Sequence, residues 1–164
     1  MISPDKIRAV AARKEDENLR FRTFLKNRAD PEELDRQFMK LHQELFSEYD
    51  CRQCGNCCRE YGTALQDAEI ESIAAFLGIK KQAFIEQYMT EGMEGPELPA
   101  PCRFLEANGN CSIQDCKPTE CSGFPYTDRP ERIFSLYNTL SIAEICPVVF
   151  EMLELLKEMY RFRR

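Results

Sequence analysis

The sequence predicts a mostly α-helical chain with a small β-hairpin, in which N-terminal helices and a C-terminal helix flank an irregular, cysteine-rich core. Three observations predict this. Apolar residues recur at helical spacing before residue 51 and after residue 146. Nine cysteines lie from Cys51 to Cys146, four of them packed into Cys51-Arg-Gln-Cys54-Gly-Asn-Cys57-Cys58. An Asn108-Gly109 pair marks a turn whose backbone matches strand twist. No internal repeat, low-complexity run or linker divides the 164 residues. The chain therefore reads as a single domain, 1–164, made of an N-terminal helical pair over 1–50, a core over 51–146 and a C-terminal helix over 147–164.

Ser3-Pro4-Asp5 is a helix start, and the first helix runs towards Arg28 with Ile7, Val10, Phe21, Phe24 and Leu25 as its apolar members. Its middle, from Arg13 to Asn18, is wholly polar. Asp30-Pro31-Glu32-Glu33 opens the second helix as an N-cap, a proline at the first helical position and a glutamate placed for a capping box. Leu34, Phe38, Leu41 and Leu45 form its apolar stripe, which reads as core. His42, the single histidine, lies on this helix. With no second histidine near it, it reads as a surface or hydrogen-bonded residue rather than a ligand.

Beyond the cysteine cluster, Ile70, Ile73, Ala74 and Leu77 share one face of a helix that stops at Gly78, and a shorter helix through Phe84, Ile85 and Tyr88 follows. Gly92, Gly95, Pro96, Pro99 and Pro101 predict a loop. The hairpin is expected over Cys102 to Ile113, bringing Cys102 near Cys111. Cys116-Lys-Pro-Thr-Glu-Cys121 is a loop or short helix, with Pro118 suited to a helix start. Cys146-Pro147 precedes a last helix bearing Val148, Val149, Met152, Leu155, Leu156 and Met159 on one side.

The cysteine spacing points to a metal. A Cys-x-x-Cys turn lets two thiolates converge on one ion, and a third cysteine after the same interval adds another sulfur from the same loop. Gly55 suits a chain doubling back around an ion. Disulfides are the competing reading for a cysteine-dense chain. Against them stand the odd count, the adjacency of Cys57 and Cys58, and the polar residues from Arg13 that interrupt any signal peptide. A chain of this length also buries about two-thirds of its surface without staples. A cytoplasmic location is expected.

The balance of 28 acidic against 22 basic residues gives a net charge of −6. Nucleic acid is not an expected partner, because phosphate contacts supply most of that affinity. No segment is long and apolar enough to span a membrane. The terminal Tyr160-Arg-Phe-Arg-Arg164 fits positive charge at a helix end.

Four blocks together, Cys51-x-x-Cys54-Gly-x-Cys57-Cys58, Cys102-x-Phe-Leu, Gly109-x-Cys111-Ser-Ile and Lys117-Pro118-x-x-Cys121-x-x-Phe124-Pro125, resemble the YkgJ-like CxxCxxCC proteins, described as zinc- or iron-chelating. The resemblance covers about 51–146. It implies Cys51, Cys54, Cys57, Cys58, Cys102, Cys111 and Cys121 as metal ligands, with Cys146 as an eighth. Cys116 matches no usual position of the family, and Gln114 and Lys117 stand where the family often has an aromatic residue and an arginine.

Eight thiolates are too many for one tetrahedral ion and enough for two four-sulfur sites. Three cysteines at successive three-residue steps favour iron-sulfur centres over zinc. The leading expectation is thus a protein carrying one or two iron-sulfur clusters in a redox or accessory role. The alternative is a zinc-stapled structural module whose amphipathic helices bind a protein partner. A modifying enzyme is a third class, since related cysteine clusters occur in flagellin lysine methylases. No glycine-rich nucleotide loop supports it, and no catalytic residue is nominated. Cys116 is the candidate if a single activated thiol acts as a nucleophile, against the plainer reading of a packed thiol. Arg52, Arg59, Arg103 and Lys117 sit beside cysteines, and either offset thiolate charge or are solvated charges.

Overall fold

The computed structural model describes residues 1–92 and 95–162. In chain order the helices are α1 (Ile7–Arg13), α2 (Glu15–Arg28), α3 (Pro31–Ser47), α4 (Cys51–Cys54), α5 (Asn56–Glu60), α6 (Asp67–Phe76), α7 (Lys81–Tyr88), α8 (Thr119–Gly123), α9 (Arg132–Ala143) and α10 (Pro147–Met159). The strands are β1 (Thr63–Ala64), β2 (Thr90–Gly92) and β3 (Gly95–Leu98). The fold is therefore mostly α with a small antiparallel sheet, as expected. The chain divides into a helical unit, Met1–Asp50 with Pro125–Arg164, and a cysteine unit, Cys51–Phe124.

In the helical unit the predicted first helix is split. Lys14 leaves helical geometry at φ −107° and ψ 5°, so α1 ends there and α2 begins. The wholly polar middle explains the break. Lys157 on α10 is 6% exposed, and its ammonium meets Glu17 at 2.8 Å, Asn18 at 2.6 Å and Glu154 at 2.6 Å. Lys14 pairs with the same Glu154. Asn18 is thus buried and Lys14 and Glu17 half-buried around the buried Lys157, whose charge Glu17 and Glu154 offset. Replacing Lys157 by methionine is expected to lower the unfolding free energy by about 3 kcal/mol, since the carboxylates stay behind. Urea unfolding of the full chain measures this, and an unchanged midpoint would overturn it.

Around that network the apolar stripes form one core of Phe21, Leu25, Leu34, Phe38, Leu41, Ile133, Leu136, Met152 and Leu156. Asp30 caps α3, its carboxylate accepting the Glu33 amide at 2.9 Å, with Pro31 in the first turn. Asp35 caps α9 from a distance, accepting the amides of Glu131 at 2.7 Å and Arg132 at 2.8 Å. His42 is bonded through Nδ1 to the Thr127 hydroxyl at 2.8 Å. The last two residues of the basic terminus, Arg163 and Arg164, lie outside the described residues.

In the cysteine unit α6 and α7 form as expected. Gln66 and Glu69 make a reciprocal capping box at the start of α6, and Gly78 follows its end in the left-handed conformation at φ 70°. The strands lie elsewhere than predicted. Residues read as a loop supply β2 and β3, and the sheet order is β1-β3-β2, with Thr63 opposite Leu98 and Thr90 opposite Glu97. The hairpin expected over Cys102 to Ile113 is reduced to a single bridge between Leu105 and Cys111. Its core is small: Ile70, Ile73, Ala74, Phe84, Leu98, Phe104 and Ile113, with Cys102, Cys111 and Cys116 packed against it.

Candidate metal centre

The cysteine loop folds back on itself at Gly55, whose φ of 58° puts α4 and α5 on either side of a left-handed corner. Arg59 on α5 closes the corner from below. Its Nη1 donates to the Cys54 carbonyl at 2.6 Å, and its guanidinium lies where a side chain on Gly55 would meet it at 3.3 Å. The adjacent thiols of Cys57 and Cys58 stand 4.0 Å apart. The Cys57 thiol, hydrogen-bonding to Cys58, pulls the Cys58 pKa down to about 6; burial opposes this, and the positive charges of Lys117 and Arg59 add to it. The shift favours the thiolate at Cys58, the form that binds metal.

The second and third blocks are fastened to this loop through the backbone. The Cys102 amide donates to the Cys58 carbonyl at 2.7 Å. Gly109, at φ 85°, lies so close to the Arg52 carbonyl that an added Cβ would sit 2.0 Å from its oxygen. The Asn-Gly signal thus serves a close approach between two cysteine blocks more than a strand pair. The fourth block is held from α6: the Glu69 carboxylate accepts the Thr119 amide at 2.8 Å and the Gln66 amide at 2.8 Å. Thr63 on β1 hydrogen-bonds the Cys121 side chain.

Six cysteines, Cys51, Cys57, Cys58, Cys102, Cys111 and Cys121, line one open cavity of about 750 Å³. Arg52 and Lys117 line it too, over an apolar floor that includes Leu98, Phe104 and Ile113. Cys54, half-buried, belongs to the same loop, and Cys116 packs against the apolar core beneath. Burial raises the thiol pKa of Cys102, Cys121 and Cys116. Cys146 lies in the helical unit, buried at the start of α10. Of the four basic neighbours, Lys117 and Arg59 act electrostatically on Cys58, whereas Arg103 bonds the Gln87 carbonyl and lies over the Tyr88 ring. None of the nine cysteines is in a disulfide.

The donor set fits a thiophilic metal, because soft sulfur ligands with cations beside them select zinc, copper(I) or iron-sulfur centres. Among the described residues the cysteines ring the cavity without any three acidic, histidine or cysteine groups already closed on a single point. Sequence reasoning missed Glu69 and Thr63, which lie outside the cysteine blocks. Burial raises the Glu69 carboxyl, but the amides of Thr119 and Gln66 outweigh this and hold it below its ordinary value of 4.5. A carboxylate depressed on folding contributes fully above that value and loses its contribution as pH falls through the folded pKa. The Thr119 amide is therefore expected to keep its hydrogen-exchange protection through the ordinary glutamate range and to lose it only at lower pH. Protection that persists to pH 2 would overturn this.

Against known proteins, a family model called CxxCxxCC and described as a "putative zinc- or iron-chelating domain" matches residues 50–147. No curated protein and no solved structure matches the chain.

Proposed function

The chain belongs to the CxxCxxCC family of zinc- or iron-chelating domains, and from that premise we propose that its cysteine cluster holds one or two iron-sulfur centres in a redox or accessory role. The observation that carries this is the cavity of about 750 Å³ with six cysteines around it. A single tetrahedral ion takes four ligands and is enclosed by them. A space in the range that holds small molecules suits a polynuclear centre better.

When bound, such a centre would supply one-electron chemistry. The chain's part is to hold sulfurs and control their surroundings. Cys51, Cys54, Cys57, Cys58, Cys102, Cys111 and Cys121, all in the cysteine unit, would be the ligands. Cys57 and Cys58, 4.0 Å apart on one wall, would serve neighbouring positions. Lys117 and Arg59 would offset the thiolate charge at Cys58. Nine cysteines without a disulfide suit a reducing compartment such as the cytoplasm. No helix among the described residues is long and apolar enough to cross a membrane.

Anaerobic purification, elemental analysis, acid-labile sulfide and a visible spectrum on one sample test the proposal. Iron with matching sulfide and broad visible absorption is expected. A colourless zinc protein would overturn it in favour of the second reading, a zinc-stapled module that binds a protein partner. That reading draws on the small apolar core of the cysteine unit and on Phe134 and Tyr137, 79% and 64% exposed one turn apart on α9.

A further inference from the structure

We infer that the cluster is built to pass its metal on to a thiolate-bearing acceptor, and that Cys51 is the ligand exchanged first. This rests on the metal-binding reading above and adds to it the handling of the metal. A site whose metal serves only as a staple is closed, with its ligands shut away from competing donors. Here none of the eight cysteines of the cysteine unit is buried, and the cavity that six of them line stands open.

The thiols are not equivalent. Cys51 alone among the nine is exposed, at the first position of the four-residue α4, where its carbonyl accepts the Gly55 amide at 2.8 Å. Cys58, Cys111 and Cys121, which line the same cavity, are each half-buried. Cys51 is therefore the lining cysteine that an incoming donor meets at the surface. Arg52, next to Cys51, and Lys117 put positive charge on the lining, which favours approach of an anionic acceptor group such as a thiolate.

The exchange step is a ligand substitution. The sulfur-metal bond of Cys51 would break as one to the acceptor thiolate forms, the Cys51 sulfur leaves as a thiolate that takes its proton from water, and no electron changes hands. Repetition at the other ligands would hand over the remaining bonds in turn. Because each bond is replaced as it is lost, the rate depends on the acceptor's concentration.

The test uses the protein purified anaerobically with its own metal and mixed with dimercaptopropanesulfonate, a soluble dithiol, over a tenfold concentration range. Metal in the ultrafiltrate is followed with time. The release rate is expected to rise in proportion to the dithiol. In the holoprotein, iodoacetamide is expected to label Cys51 before any other cysteine. The Cys51→Ser variant, with one ligand already removed, is expected to release the metal it still holds about ten times faster, the equivalent of about 1.4 kcal/mol. Cys121→Ser is expected to lower the metal-to-protein ratio more than Cys51→Ser does. Release at a rate independent of the dithiol, or Cys51 labelled no faster than Cys121, would overturn the inference. A preparation holding no metal would overturn the metal-binding reading, and this one with it.

Discussion

Alanine at position 109 is expected to weaken metal binding by about a hundredfold without removing a single sulfur. The new Cβ would lie 2.0 Å from the Arg52 carbonyl oxygen and 2.9 Å from its carbon, both backbone atoms that no side-chain rotation relieves. The left-handed φ of 85° adds its own strain of about 1–3 kcal/mol for a residue other than glycine. Separating the backbones moves Cys111 away from the Cys51–Cys58 loop, and a loss of about 3 kcal/mol is two decades in affinity. Gly78 supplies the control. It has a similar φ of 70°, but no atom lies within 4 Å of the position its Cβ would take. Gly78→Ala should therefore cost stability through strain alone and leave the metal content as it was. Competitive chelator titration of both variants separates the two effects. If Gly109→Ala binds as tightly as the wild type, the approach of the two blocks does not build the site.

The part of the molecule legible in the sequence is the part whose cause is local. Helical stripes such as Leu34, Phe38 and Leu41 mark their elements because the period of a helix is written within a few turns, and all three are buried. The cysteine blocks were visible for the same reason. Strands of two to four residues, one of them containing Pro96, carry too little alternation to be seen. The hairpin signal at Asn108-Gly109 gave a turn with only a short ladder, the Ser112 amide donating to the Phe104 carbonyl at 2.8 Å and the Glu106 amide to the Asn110 carbonyl at 2.9 Å.

The missed features are all distant in sequence. Lys157 meets Glu17 and Asn18 across the chain, so part of a segment read only as polar belongs to an ion-pair network around a buried cation. Glu69 makes the capping box of α6 with Gln66, and its second oxygen holds the Cys121 block fifty residues on. No periodicity could reveal that second role. It follows from an acceptor having more than one lone pair to offer.

Removing the metal is expected to unfold the cysteine unit while the helical unit keeps its structure. The cysteine unit has a core of seven apolar side chains, and domains of about 70–80 residues rarely gain more than about 3–5 kcal/mol from such a core. A bound metal can contribute on the order of 10 kcal/mol, more than that margin. Without it, thiolates gathered around one cavity also repel one another. The helical unit has its own core and the Lys157 network, neither of which contains a sulfur from residues 51–124. Hydrogen exchange before and after anaerobic chelation should therefore show α6 and α7 losing protection while α2, α3 and α10 retain it. Far-UV circular dichroism should fall only in part, because α1 to α3, α9 and α10 lie outside the cysteine unit. Equal loss in both units would mean that they fold as one. Full retention in α6 and α7 would mean that the metal is carried by a preformed scaffold, in which case exchange at Cys51 would leave an intact apo site ready to reload.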